Sequence, residues 1–349
     1  VGGGVFQGDR LDRQVAVVHD EDHVAGFGFP DRRSQVRVEA AADLTIRPYR
    51  GYHPVLTLGP TTDADVALFR VYDGKLLFDG LEFRLDPKDR EPRDRNFKAQ
   101  VVATVVGNGQ CGFKICVATL DPAPGLATAV AFASVADVPG MMKSDPPPAR
   151  TQPFLALENC VVRGQGDLVW DRAGRPFELE VRNPLVSATL TSVTAYQTGH
   201  VIRVNGGKDV KNLPGLTCTT DKCLFVAAAG HSLIHLEGPQ MTNDQFKDKV
   251  RWTIGDSGNV YANFGDMVDQ RPHGEEMPQP PIGSAKWKTL LGEMTSKLSP
   301  SVKFASAPSP DGPFNRVAPS HFKPMELTGY GADVATLPKP AVTSPEADE

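Results

Sequence analysis

The sequence predicts an all-β chain wound as a parallel β-helix, with a C-terminal helix and a Pro-rich tail. Three observations carry this reading. Short runs rich in Val, Ile, Leu, Thr and Phe follow one another from 34 to 263, and most alternate apolar with polar residues. That is the period-2 mark of a half-buried strand. Early runs start near 44, 55, 66 and 76, about eleven residues apart. DG, NG and GG turns do not fall regularly between paired runs, as the hairpins of a sandwich or propeller require. In a β-helix each coil buries its inward side chains against the coils above and below, so stacking makes one continuous core.

The chain has 349 residues, enough for two domains or one large β domain. Hydrophobic residues make 40%, so most of the chain can bury a core. Its 33 glycines and 30 prolines point to many turns. A net charge of −5 excludes a broadly basic nucleic-acid binder. No run of 18 apolar residues occurs, so no segment is expected to span a membrane. The chain opens on Val1 without a charged n-region and apolar h-region, so a signal peptide is absent or belongs to an upstream part.

Residues 1–33 are Gly-rich and acidic and read as a linker or a truncated first coil, with QVAVV (14–18) as a candidate strand. The coil stack spans 34–263. Its inward positions include Ile46, Leu56, Leu68, Phe78, Leu157, Val181, Phe225 and Leu236, the apolar members of alternating runs. The highly charged stretch 86–98 and the Pro-rich stretch 136–152 read as projecting loops. An internal echo aligns FLALENCVVRG (154–164) with FELEVRNPLVS (177–187) at a 23-residue offset, and suggests coils of that length. TNDQFKDKV (242–250) reads as a short helix with Thr242 as N-cap and Gln245 closing a capping box. A helical flank covers 264–304. Its helix, 285–298, places Trp287, Leu290, Leu291, Met294 and Leu298 on one face. An open β-helix end exposes core and unpaired strand edges. This helix is therefore expected to pack there and bury Trp287 and Leu291. The tail, 305–349, is Pro-rich and partly disordered, with isolated anchors at Phe314, Phe322, Met325, Leu327 and Leu337.

LTIRPYRGYHPVLTL (44–58), GKLLFDGLEFRL (74–85) and LALENCVVRG (155–164) resemble successive coils of right-handed parallel β-helix, pectate-lyase-like repeat proteins. A Trp-containing helix followed by a Pro-rich segment ending in G-A-D-x-x-x-L-P, here Gly331 to Pro338, resembles the closing order of large bacterial β-helix proteins of the planctomycete type. The resemblance covers roughly 35–340. It implies a right-handed coil, carbohydrate binding and a cell-envelope or extracytoplasmic setting. Some proteins of that type carry a serine/threonine kinase domain upstream. Kinase chemistry is excluded within this segment, which has no V-A-I-K, H-R-D-x-x-x-x-N or D-F-G.

Motifs that carry chemistry are few. GNGQCG (107–112) follows a strand, and Asp137 lies further on, as in a dinucleotide site. Such a site needs a helix to open at the third glycine, whereas FKICVATL is β-like, so a tight turn between coils is expected. His19 and His23 would form a two-His metal face on a helix, but three acidic neighbours in a Gly-rich region read as a solvated loop. His231 and His235 share a face if GHSLIH is a strand, and two imidazoles alone are not a site. Five cysteines are too few for a disulfide scaffold. Cys218 and Cys223 have room to join, but buried thiols are the plainer expectation. Sugar-cleaving β-helices need clustered carboxylates. Here there is no adjacent Asp pair and no N-T-D, G-H-G or R-I-K segment, leaving Asp79, Asp167, Asp171 and Asp209 to converge in space.

The sequence therefore supports a non-catalytic β-helix module of a larger bacterial protein, structural or binding an extended polymer or a partner protein. No catalytic, metal or cofactor residues are assigned, and polysaccharide or protein is the expected partner. The alternative is a polysaccharide lyase or hydrolase on the same scaffold. Three or more outward carboxylates from neighbouring coils would favour the enzyme; scattered ones would favour the module.

Overall fold

The computed structural model describes residues 14–18, 36–38, 43–58, 65–72, 74–85, 99–121, 129–136, 152–172, 185–205, 213, 215–238, 240–272, 280–292, 295–306, 308–309 and 317–339. The strands β1 (Gln14–Val18) and β2 (Val36–Val38) come first. Each coil after them carries three strands. The first two coils are β3 (Asp43–Pro48), β4 (Val55–Thr57), β5 (Asp65–Tyr72), and β6 (Lys75–Asp79), β7 (Glu82–Leu85), β8 (Ala99–Val106). Next come β9 (Gln110–Lys114), β10 (Val117–Leu120), β11 (Ala129–Ala136), then β12 (Phe154–Glu158), β13 (Val161–Arg163), β14 (Asp167–Asp171). The series continues with β15 (Leu185–Thr191), β16 (Thr194–Thr198), β17 (Ile202–Asn205), then β18 (Gly215–Asp221), β19 (Leu224–Ala227), β20 (Ile234–Glu237). After helix α1 (Asn243–Lys249) come β21 (Val250–Ile254), β22 (Val260–Ala262) and β23 (Val268–Arg271). Helix α2 (Ser284–Leu291) and β24 (Lys297–Ser299) follow.

These strands stack into three eight-stranded sheets, and every ladder is parallel. Sheet A begins β1-β3-β6 and ends at β21, sheet B runs from β2 to β23, and sheet C from β4 to β24. The chain is therefore a parallel β-helix whose coils visit A, C and B in turn. The eleven-residue spacing is the step from one face to the next. A whole coil is longer, from 27 residues (Leu56 to Phe83) to 44 (Phe113 to Leu157). This corrects the 23-residue echo. Leu157 lies beside Leu190, and Phe154 beside Ser187, not Phe177. Two copies that share a composition are not thereby stacked; hydrogen-bonded register decides that.

Inward columns form the core. In sheet A one reads Ile46, Phe78, Phe113, Leu157, Leu190. Phe78 and Phe113 stack at 5.0 Å, and Phe132 from sheet B closes on Phe113 at 4.3 Å. Ile46, Leu56, Leu68, Phe78, Leu157, Phe225 and Leu236 are all buried in this core. Val181 lies outside the described residues. A fully buried side chain of this size contributes about 1.5–3 kcal/mol.

The corner between sheets A and C repeats one device. Gly80, Ile115, Asn159, Ser192 and Lys222 all have left-handed backbone, φ 51 to 73°. Each N–H of this column donates to a carbonyl in the next coil, as Ile115 does to Glu158 and Asn159 to Thr191. One left-handed residue per coil turns the chain sharply while the stack stays in register. Gly164, at the next corner, admits no side chain, since a Cβ there would lie 1.9 Å from the Leu120 carbonyl oxygen.

Both expected helices form. Helix α1 has the Thr242–Gln245 capping box and buries Phe246. Helix α2 is shorter than 285–298, which is a correction. Gly292 adopts φ 67° and ends it after Leu291, and Leu298 lies in β24, paired with Tyr261 and 42% exposed. Closing the open edge of sheet C satisfies backbone groups that further helix would leave unpaired. Trp287 is fully buried against Trp252 at 5.6 Å; Leu291 is only partly buried. All five cysteines are free and buried.

The outer face of sheet C is apolar, with Val117, Val161, Leu224, Val226 and Val260 packed under Phe304, Phe322, Ala332 and Leu337. The Pro-rich region thus supplies a strap, 317–339, that covers this face. Of the expected anchors, Phe322 and Leu337 are buried and Met325 is 62% exposed, while Phe314 lies outside the described residues.

Candidate functional site

Polar side chains gather on the outer face of sheet B. Strand register sets one column there: Thr104, Ser134, Trp170, Arg203, His235, Asp269. A second column holds Asn205, Glu237 and Arg271. The turns before β17 and β20 add His200, His231 and Ser232.

Arg203 joins two carboxylates. It donates to Glu237 Oε1 at 2.6 Å and lies 3.6 Å from Asp167 Oδ2. Its guanidinium also sits 5.2 Å from the centre of the Trp170 ring, with Arg172 at 4.7 Å. Trp170 Nε1 donates to Asn205 Oδ1. The two nitrogens of His235 each face a carboxylate, Asp269 Oδ2 at 3.0 Å and Glu237 Oε1 at 3.3 Å. Arg271 approaches Asp269 at 3.5 Å.

Three imidazoles cluster here. His200 stacks on His235 at 4.3 Å between ring centres and meets the His231 ring edge-on at 4.8 Å. His200 Nδ1 lies within hydrogen-bond reach of Ser232, 3.1 Å from its hydroxyl and 3.2 Å from both its N–H and its carbonyl oxygen. Burial, then repulsion from His235 and His231, pushes the His200 pKa down to about 3. His231 is lowered by burial first, then by His235. Burial raises Asp167 to about 6, although Arg203 and the His200 N–H oppose it. Burial also acts upward on Glu237, but hydrogen bonds from His235 and Arg203 outweigh it and hold this carboxyl at about 2.

Of the expected site residues, His231 and His235 do share a face, joined by His200. The three described aspartates of the four, Asp79, Asp167 and Asp171, do not converge. Asp79 lies on sheet A beside Lys114, and Asp171 points inward from β14, fully buried next to Val135 and Val204. Only Asp167 joins the cluster. Residues four apart in a regular strand share a face. Here Leu168 and Val169 both pack into the core, and this break in alternation sends Asp167 outward and Asp171 inward, while Asp79 lies on another sheet. Asp137, Asp209, His19, His23 and nearly all of 86–98 and 136–152 lie outside the described residues. GNGQCG forms the turn into β9 without a helix, and a Cβ on Gly109 would press on the Val71 carbonyl at 2.5 Å.

His200, Arg203, Glu237, Asp269 and Arg271 were not singled out in the sequence. Their signal is a recurrence about one coil apart, visible only with the right coil length. Among the described residues no group of His, Cys, Asp or Glu is placed to hold a metal ion, and no helix is long and apolar enough to cross a membrane. No family model, curated protein or solved structure matches the chain.

Proposed function

We propose that this chain is a non-catalytic β-helix module of a larger bacterial protein, and that it holds an extended, charge-bearing polysaccharide along the outer face of sheet B. The observation that carries this is the column Trp170–Arg203–His235–Asp269, one side chain per coil over four coils. Adjacent strands lie about 4.8 Å apart, so a polymer laid across the coils meets donors and acceptors at a fixed step. Glu237 and Arg271 widen the strip. The charged groups are largely committed to one another, which suits retention more than turnover. The resemblance to pectate-lyase-like repeat proteins points to the same ligand class. The test is to incubate the protein with polygalacturonate, with and without Ca²⁺, following retention and new reducing or unsaturated ends. Retention that Arg271→Ala weakens, with no new ends, is the expected result; product release overturns the non-catalytic reading, and no retention overturns the binding.

One observation favours a second reading, cleavage by a carbohydrate-active enzyme. Asp167, Glu237 and Asp269 come from three of four successive coils onto one face, the coil of Arg203 lying between the first two. Asp167 and Glu237, on either side of Arg203, have their protonation pushed apart. An acid that keeps its proton to about pH 6 beside an ionised carboxylate is the division of labour that glycoside hydrolysis uses. Product release that Asp167→Asn and Glu237→Gln each abolish would establish it.

A further inference from the structure

The outer face of sheet A differs from that of sheet B. Its middle column reads Thr45, Leu77, Gly112, Ala156, Thr189, Thr219, Thr253, without one charge over seven strands. The neighbouring column supplies Ser187 and Thr217, side by side in β15 and β18. The far edge carries Asp79, Lys114 and Glu158, and Lys114 pairs with Glu158 at 3.2 Å. The face is thus a track of mostly small side chains and hydroxyls beside an edge on which Lys114 is paired with Glu158 and acids are in excess.

Over part of this track the strap builds a wall. Asn159, the left-handed corner residue of its coil, donates from Nδ2 to Thr336 Oγ1 at 2.7 Å and accepts the Asp333 N–H on Oδ1. Tyr330 is held upright by its hydroxyl, which donates to the Ser257 carbonyl, and by Lys297 over its ring. Between wall and track lies a groove of about 880 Å³, floored by Ala156, Thr189 and Thr191. Ligand pockets commonly enclose about 300–1,000 Å³. The charged groups on its lining are Lys114, Lys323, Glu158 and Asp333, two of each sign, so the groove has no formal charge to offer an ionic ligand.

We infer that this groove is a second binding site, for an uncharged glycan chain that enters under the strap and continues across the threonines of sheet A. The occupant is set by the lining. The hydroxyls of Thr189, Thr191 and Ser192 meet sugar hydroxyls, Tyr330 supplies an aromatic edge, and balanced charge on the groove lining disfavours both polyanions and basic peptides. The threonine column continues past the groove through Thr219 and Thr253, so an extended ligand has a surface to follow that a compact one does not use. The site shares no residue with the sheet B cluster and stands whether or not that cluster binds anything.

The test is titration calorimetry of the whole chain with cello-oligosaccharides, beside polygalacturonate as the anionic arm. The variants are Thr189→Arg, which places a cation on an outward, partly exposed position, and Tyr330→Phe, which frees the wall. Arg271→Ala on sheet B is the control, and circular dichroism verifies the fold of each. Binding of the neutral chain, weakened tenfold or more by Thr189→Arg, reduced by Tyr330→Phe and unchanged by Arg271→Ala, supports the inference. Absence of neutral binding in the parent overturns it, as does binding indifferent to Thr189→Arg. Loss of neutral binding in Arg271→Ala would place the ligand on sheet B and also overturns it. Failure of the anionic arm alone removes the sheet B reading and leaves the groove.

Discussion

Replacing Arg203 with Met removes one cation from between two carboxylates while keeping most of the stem's volume. Arg203 and Glu237 are about a quarter exposed, and Asp167 only 9%. An exposed pair contributes about 0–1 kcal/mol, whereas breaking a buried one costs about 3–5 kcal/mol. This network lies between those limits, and the contact with the Trp170 face adds about 0.5–1 kcal/mol. Arg203→Met should therefore destabilise the fold by about 2–3 kcal/mol at pH 7.5, which lowers the melting temperature by several degrees. The sign of its pH dependence follows from the carboxylates. Without the guanidinium, both folded carboxyls bind protons more readily, so the folded state takes up more protons than the unfolded chain as pH falls. The penalty should be largest above about pH 6, where Asp167 is ionised, and should shrink toward pH 4. Urea unfolding followed by circular dichroism at pH 7.5 and pH 5 measures both effects. A loss under about 0.5 kcal/mol at pH 7.5, or an equal loss at both pH values, would refute the reasoning.

Phe113 touches Phe78, Phe83 and Phe132 across all three sheets, so Phe113→Ala should cost about 3–5 kcal/mol in urea unfolding; a cost under about 2 kcal/mol would mean that the coils collapse onto the cavity. His200 and Asp167 should oppose each other between about pH 4 and 6. The unfolded imidazole takes its proton near pH 6.5 and the folded one only near 3, so stability from His200 is lost as pH falls. Asp167 is raised, so its folded state binds the extra proton and stability is gained over the same descent. His200→Gln should therefore make the protein relatively more stable at pH 4.5 than at pH 6.5 when compared with the parent, and an unchanged pH profile would contradict the assignment.

Much of the fold was legible because a half-buried strand writes its own pattern. Alternation in KLLFD or FLALE marks an inward face without reference to the rest of the chain. The eleven-residue step and the Thr242 capping box are equally local, and they hold. The end of α2 was misplaced because the apolar spacing of Leu298 suits a helix as well as an edge strand. Gly292 and the open edge of sheet C decided between them.

Coil length was not local. Residues 86–98, 137–151 and 173–184 lengthen particular coils, so no fixed period marks which residues stack. Arg203, His235 and Asp269 are 32 and 34 residues apart and carry no shared motif; parallel register alone sets them in one column. A break in alternation, with Leu168 and Val169 both turned into the core, separates Asp171 from Asp167, two residues of one strand that share a face in a regular strand. By itself, the sequence determined that short strands would bury one face each, because hydrophobic alternation is a property of neighbours along the chain. Only the tertiary structure decided which outward side chains meet, which carboxyl is raised and which lowered, and that the strap walls a groove. Those depend on distances between coils, and the physics of burial and charge acts through space rather than along the chain.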